Sequence, residues 1–292
     1  MLPRFKKILT DIKSLKIQGA TNVAKAAVDG MALVAASSTE KNLKKNIAQA
    51  ALLLTKTRPT EPALRNILRY LLTHTKNKKT FSHARQWAQR YFSSAEQKTI
   101  AHGLKKIKTS ATLYTHCHSS TVTHLFIAAH KKGKKIRVCN TETRPLLQGR
   151  KTAAELTHSG IHVDYYDDDA VKTAMLKSSV AFLGADAITP TVVYNKVGSS
   201  LVGEYAHAHQ IPLYICTCAL KFDPAIIRGK KEVVEERNPA EVWARAPRGV
   251  HVHNPAFDAI DGKHIAGIIS ELGIHRLPVF IKKVKKAYPW LV

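Results

Sequence analysis

Carboxylates, aromatics and cysteines are all scarce in this chain. Its 292 residues hold 21 Asp+Glu against 46 Lys+Arg, a formal net charge of +25 with His neutral. Aromatic residues make up 7% and Cys number four. Four Cys in a chain of this length are no disulfide framework, which places the expected compartment on the reducing, intracellular side. No apolar run nears the roughly 20 residues that span a bilayer; the stretch around Ala51–Leu54 is typical. Lys6 and Lys7 are followed by Asp11 rather than by an apolar stretch and a cleavage site, so no signal peptide is expected. The expected protein is soluble and cytoplasmic. Hydrophobic residues at 45% exclude wholesale disorder and allow a sizeable core, in one large domain or two smaller ones.

The positive charge is unevenly placed. Residues 1–110 hold 22 Lys+Arg and 5 Asp+Glu, a net of +17. Such an excess can attract nucleic acid, an anionic membrane or phosphorylated small molecules, or it can be a solvated surface. No recognised nucleic-acid motif accompanies it, so nucleic acid is not an expected partner.

Residues 1–110 read as a helical domain. Apolar residues recur at helical spacing around Ile8–Ile17, Val23–Ala36, Leu43–Leu54, Ala63–Leu72 and from Phe81 to about Ile107. Polar or Pro-containing breaks separate these segments, and Thr60 and Ser82 are candidate helix caps. From residue 111 the pattern changes. Strand-like runs at Thr112–Thr115, Ile136–Cys139, His162–Tyr165, Val180–Leu183 and Pro212–Cys216 alternate with helical stretches. That alternation predicts an α/β fold, a Rossmann-like parallel sheet domain over 111–292 with helices on both faces. Ligands of such sheets sit beyond the carboxyl ends of the strands, at a switch point.

The strand ends therefore matter most. Cys117 follows the first strand. It is either a thiol whose ionisation a nearby helix start favours, or a small buried residue at a tight turn. The loop after the second strand carries Arg144, Gln148, Gly149 and Arg150, suited to an oxyanion or to sugar hydroxyls, or held by a Glu142–Arg144 pair. Asp186 follows the fourth strand, as a buried acid or as a turn cap. Asn195, Lys196 and the amides of the helix opening at Gly198–Ser200 suit a phosphate, although the spacing is not that of a P-loop. Cys216 and Cys218 read as buried free thiols rather than as a zinc site with His116 and His118. His251 and His253 are expected on one face of a strand.

Several strings, taken in order, resemble one superfamily. They are Lys16-Ile17-Gln18-Gly19-Ala20, Thr57-Arg58-Pro59-Thr60, Thr115-His116-Cys117, Thr143–Arg150, Gly184–Thr189, Asn195–Ser199, Lys221-Phe222-Asp223 and Asn254–Phe257. The chain is similar to the alpha, beta and delta subunits of translation initiation factor 2B, methylthioribose-1-phosphate isomerase and ribose-1,5-bisphosphate isomerase. Isomerases of the group carry the Cys and the Asp that stand here as Cys117 and Asp186. Regulatory subunits often lack one or both. The opening segment looks most like the archaeal ribose-1,5-bisphosphate isomerases.

The resemblance implies an aldose–ketose isomerase acting on a phosphorylated pentose, with Asp186 as acid and Cys117 as base. It implies substrate contacts from Gln18, Gly19, Ala20, Arg58, Arg144, Gln148, Arg150, Asn195, Lys196 and Lys221. No metal or organic cofactor is implied. AMP as an activator and a homo-oligomer, dimer or hexamer, are. The competing expectations are a non-catalytic initiation factor 2B-like subunit and a methylthioribose-1-phosphate isomerase. The chain departs from the isomerase pattern at Gln18, where Arg is usual, and at His118, where Asn is common. The loop from Asp186 to Asn195 is also a residue shorter than usual.

Overall fold

The computed structural model describes residues 2–224 and 235–291. Five helices come first: α1 (Pro3–Lys13), α2 (Ala20–Ser37), α3 (Glu40–Thr57), α4 (Pro62–Thr73) and α5 (Lys78–Gly103). α2 lies among the other four. Its Val23, Ala24, Ala27, Val28 and Met31 are fully buried, and the small Ala side chains let its neighbours approach closely. The basic residues take the other faces: Lys13, Lys16, Lys41, Lys44 and Lys45 are all exposed.

Two helix starts differ from expectation. α4 opens at Pro62, whose fixed φ and missing N–H suit a first turn, so Thr60 caps nothing. α5 opens with a capping box in which the Asn77 side chain accepts from the Thr80 amide and Thr80 Oγ1 accepts from the Asn77 amide. That start lies five residues before Ser82.

A seven-stranded sheet follows in the order β10-β9-β7-β4-β1-β2-β3, and all pairs are parallel except β10 with β9. Its strands are β1 (Thr112–His116), β2 (Arg137–Thr141), β3 (His162–Tyr166), β4 (Val180–Leu183), β7 (Leu213–Cys216), β9 (Gly267–Ser270) and β10 (Gly273–His275). The helices between them are α6 (Ser120–Lys131), α7 (Gln148–His158), α8 (Val171–Leu176) and α9 (Ser199–Ala208), with α10 (Leu277–Ala287) after β10. Successive strand residues alternate between two cores. Tyr114, Cys139, Ala181, Leu183, Ile215 and Ile268 face one, together with α8, α9, α10 and the N-terminal helices. Leu113, Val138, Phe182, Cys216 and Ile269 face the other, which holds α6 and Leu156 of α7. Strands covered on both faces are why these runs are continuously apolar rather than alternating with polar residues.

The chain enters the sheet at its middle. It lays β2 and β3 to one side of β1, then returns and lays β4, β7 and β9 to the other. The switch point therefore lies between the carboxyl ends of β1 and β4, which lead into Cys117 and into Gly184–Asp186.

A second, antiparallel sheet of β5 (Ala187–Ile188), β6 (Val192–Lys196) and β8 (Phe257–Asp261) was not expected. Thr189-Pro190-Thr191 is the turn of its β5–β6 hairpin, closed by the Thr189 amide on the Val192 carbonyl. His251 and His253 lie on no strand, and both are exposed. The C-terminal tail packs within the chain. Trp290 meets Tyr70 and Trp87, and Arg69 Nη1 donates to the Leu291 carbonyl at 2.9 Å.

Candidate active site

A cavity of about 280 Å³ opens at the switch point between the sheet and the starts of α2 and α4. β1 delivers Cys117 to it in a left-handed backbone conformation with φ of 67°. Such a conformation costs about 1–2 kcal/mol outside glycine, so the surroundings must hold it. They do so from both sides. The Cys117 amide donates to Thr143 Oγ1 at 2.9 Å, and its carbonyl accepts from Thr152 Oγ1 at 2.9 Å. His116 beside it is pinned as well. Nδ1 lies 2.6 Å from Thr141 Oγ1, and Nε2 lies 2.9 Å from the Val197 carbonyl. Burial pushes its pKa down, so it stays neutral.

Burial pushes the Cys117 thiol up to about 12, opposed chiefly by the charge of Lys196. Of the two expectations for Cys117, this environment favours the small residue at a tight turn: burial is the dominant influence on its thiol, and α6 begins only three residues further on.

β4 delivers Asp186, which lines the same cavity. Its amide donates to the Tyr194 carbonyl at 2.9 Å, at the mouth of the β5–β6 hairpin. Burial raises its pKa, and Lys221, Lys196 and Arg58 pull it back down. Cys117 feels the charge of Asp186, and both feel that of Lys196.

The other expected residues separate into two groups. Gln18, Gly19, Ala20, Arg58, Gln148, Asn195, Lys196 and Lys221 line the cavity with Cys117 and Asp186. Lys196, at the end of β6, is 6% exposed and lies 5.9 Å above the Phe257 ring. Lys221 Nζ donates to the Ala185 carbonyl next to Asp186. Gln148 opens α7, and its Oε1 is buried without a partner among the described residues. Asn195 Nδ2 donates to Ser199 Oγ at 2.8 Å.

Arg144 and Arg150 do not line the cavity. Their side chains are 67% and 65% exposed, and both lean on Glu142, at 3.8 and 3.5 Å. The loop that carries them is tied down by Asp168, which accepts from the amides of Thr143 and Arg144. The amides at the start of α9 are occupied too. Asp258 accepts from Gly198 N, Ser200 N and Ser200 Oγ at 2.8, 3.0 and 2.8 Å. Lys196 lines the cavity, whereas the amides of this helix opening are already taken by Asp258.

Glu61, Lys151 and Arg237 also line the cavity and were not anticipated. None of the three stands in a sequence pattern that sets it apart. Arg58 Nη2 lies 3.0 Å from Glu61 Oε1 and 3.3 Å from Glu235 Oε2. Cys216 and Cys218 are buried free thiols. Among the described residues no cluster of His, Cys, Asp and Glu is arranged to hold a metal, and no helix is long and apolar enough to cross a membrane.

An acid and a thiol at the switch point of a doubly wound sheet, in a cavity lined by Lys, Arg and carboxylate side chains, define a Rossmann-like protein with a polar pocket at its strand ends. Residues 16–276 match the model of the Initiation factor 2 subunit family, and the chain belongs to that family. It is 33% identical to the ribose 1,5-bisphosphate isomerase of Pyrococcus furiosus, over 97% of this chain and 94% of that protein. It is 35% identical to the methylthioribose-1-phosphate isomerase of Heliobacterium modesticaldum, over 93% and 87%. Among solved structures it resembles translation initiation factor eIF-2B of Pyrococcus horikoshii OT3, with a TM-score of 0.87, 28% identity, and coverage of 96% of this chain and 99% of that one.

Proposed function

We propose that this protein is an aldose–ketose isomerase that converts ribose 1,5-bisphosphate to ribulose 1,5-bisphosphate. The observation that carries the reading is the pairing of Cys117 with Asp186 in one cavity lined by Arg58, Lys151, Lys196, Lys221 and Arg237. A substrate with two phosphates needs two cationic cradles, and five Lys and Arg side chains suit that better than a substrate with one phosphate and an apolar thioether. A purely regulatory subunit has no use for the thiol–carboxyl pair.

The substrate's anomeric oxygen is esterified, so its ring cannot open through a free anomeric hydroxyl. The C1–O4 bond must break while C2 loses its proton. Asp186, held towards its protonated form, gives a proton to O4. Cys117 takes the proton from C2, and the C–H electron pair becomes the C1=C2 bond as O4 leaves. The enol then regains a proton at C1 from Cys117 and returns its hydroxyl proton to Asp186. The product is the 2-ketose, and both groups are restored. The cycle starts from the thiolate: Cys117 first releases its own proton to water, and Lys196 is the charge that most favours this.

Gly19, Ala20 and Thr21 at the open end of α2 offer amides to one phosphate, with Arg58 beside them. Lys196 and Lys221 serve the other end of the sugar, and Gln148 and Asn195 its hydroxyls. We include in this proposal a helical domain over 1–110 that supplies the α2 and Arg58 contacts to a catalytic domain over 111–292. Arg144 and Arg150, which the resemblance includes, have no contact in this reading. AMP activation, a homo-oligomer (dimer or hexamer) and a cytoplasmic location belong to the proposal through the family resemblance.

The test is turnover of ribose 1,5-bisphosphate by purified protein, with and without AMP, and with methylthioribose 1-phosphate in parallel. Appearance of ribulose 1,5-bisphosphate is the expected result. No turnover of the bisphosphate under either condition rejects the reading. Light scattering in the same buffers tests the oligomer.

A further inference from the structure

We infer that Glu61 is a proton-carrying residue of this cavity, which takes up a proton as a phosphate ester binds. The inference rests on the reading that the cavity accepts a phosphorylated sugar. Glu61 sits at the turn between α3 and α4 and is 2% exposed. One carboxyl oxygen is held by Arg58 at 3.0 Å. The other, Oε2, is buried and has no partner among the described residues. An unpaired carboxylate oxygen in that position is costly, and a proton or a ligand group is what relieves the cost.

The charges around Glu61 explain why a ligand would drive the change. Arg58 faces it from the end of α3, Lys221 from the turn after β7, Asp186 from the end of β4, and Glu235 from the segment that leads towards β8. Arg58 is shared with Glu235 at 3.3 Å. Arg58 therefore already faces two carboxyl groups, Glu61 and Glu235, before any ligand arrives, and a phosphate dianion adds two more negative charges beside them. Arg58 can turn to it only if an anion already on Arg58 is neutralised.

Glu61 is the group best placed to do this. Burial, then the charge of Asp186, raises its pKa to about 7, so it gains a proton near neutrality. Once protonated it releases Arg58 to the phosphate, and its O–H becomes a donor where a bare carboxylate would repel the ligand. Binding then weakens as pH rises, because above pH 7 the free protein must bind a proton that it did not hold.

Calorimetric titration of the full-length protein with ribulose 1,5-bisphosphate at pH 8, in two buffers of unlike ionisation heat, counts the protons. The phosphate esters are already dianions at that pH, so they add none. Wild-type protein is expected to take up most of one proton per molecule bound. Its Kd is expected to rise by nearly tenfold per pH unit above pH 7. Glu61→Gln keeps the shape and the acceptor for Arg58. It is expected to bind without proton uptake, with a Kd flat in pH and about tenfold tighter than wild type at pH 8. Asp186→Asn is expected to keep most of the uptake.

Wild-type binding with no proton uptake overturns the inference, and so does uptake that persists in Glu61→Gln. If Glu61→Gln does not fold, the wild-type proton count and pH dependence decide the matter alone. Binding with proton uptake but no turnover of ribose 1,5-bisphosphate rejects the isomerase and leaves this inference standing. No binding of the bisphosphate at all rejects both.

Discussion

Two helices in this molecule each open after a glycine of positive φ, and their amides meet different surroundings. α2 starts after Gly19 and α9 after Gly198, and each glycine has a left-handed φ, 82° and 97°. Both present bare backbone amides and a positive helix end. At α9 those amides are taken by Asp258, which bonds Gly198, Ser200 and the Ser200 hydroxyl. At α2 no side chain caps the helix, and Gly19, Ala20 and Thr21 line the cavity. The difference is a single carboxylate arriving from β8, about 60 residues away in the chain. A glycine before a helix therefore marks an anion-binding geometry, and only the fold says whether the anion is internal or external. On this comparison, changes near α2 alter binding and turnover, and changes at α9 alter stability.

The largest effect is expected at the pair between these helices. Asp186→Asn and Cys117→Ser are each expected to lower kcat by about 10²–10⁴-fold, the range for a lost general acid or base. The thermal midpoint is expected to stay within a few degrees of wild type, because neither side chain is structural. Steady-state turnover with thermal melts on the same samples makes the check. A variant that keeps wild-type kcat removes its residue from the mechanism. A variant that simply unfolds would assign its residue to the fold instead.

The filled helix gives the next effect. Asp258→Ala leaves two amides and a hydroxyl without their charged acceptor, at a cost of about 3 kcal/mol. For a chain of this size that corresponds to a fall of roughly 6–10 °C in Tm. Activity per folded molecule is expected to stay within about threefold, since this helix end is not a ligand site. A large rise in KM with an unchanged Tm would erase the distinction between the two helices.

The open helix gives a smaller one. A Cβ on Gly19 would meet nothing within 4 Å, so space is not the obstacle. The positive φ is, and Gly19→Ala costs about 1–2 kcal/mol as the backbone shifts to relieve it. The amides that face the ligand move with it. A rise in KM of about tenfold with kcat nearly unchanged is expected from steady-state kinetics, equivalent to about 1.4 kcal/mol of lost binding. An unchanged KM would mean that the α2 amides do not hold phosphate.

The alternation of short apolar runs with helical stretches was enough to read five strands of the large sheet and the helices between them. Those elements are local, and covering on both faces leaves a plain apolar signature. The antiparallel sheet was not legible, because β5 is two residues long and its outer partner β8 lies some sixty residues beyond β6. The positions of Cys117 and Asp186 followed from topology, since both sit at strand ends on either side of the switch. The protonation of Asp186, read as a buried acid, agrees in direction with its burial, but that of Cys117 did not follow. A helix start nearby argued for a thiolate, while the burial that raises the thiol depends on residues drawn from across the chain. Glu61 was hidden for a related reason. Pro62 makes it look like an ordinary residue before a helix, and only its packing against Arg58, Asp186 and Lys221 turns it into a titrating group.

The smallest effect separates position in a motif from position in the cavity. Arg144 and Arg150 share a strand-end loop with Gln148, so a sequence pattern treats them like Lys196. Yet Lys196 is 6% exposed against the cavity, whereas the two Arg side chains are about two-thirds exposed and lean on Glu142. Exposed ion pairs of this kind contribute at most about 1 kcal/mol each, because water competes for both partners. Arg144→Ala and Arg150→Ala, singly or together, are therefore expected to change KM for the bisphosphate by less than about twofold, and stability by less than about 0.5 kcal/mol. Gln148→Ala at the start of α7 is expected to do more, because its buried amide oxygen lies in the cavity wall. If the double Arg variant instead raises KM tenfold or more, the loop must swing its guanidinium groups into the cavity when substrate arrives. The boundary between a structural and a ligand-binding strand end would then be set by the ligand as well as by the fold.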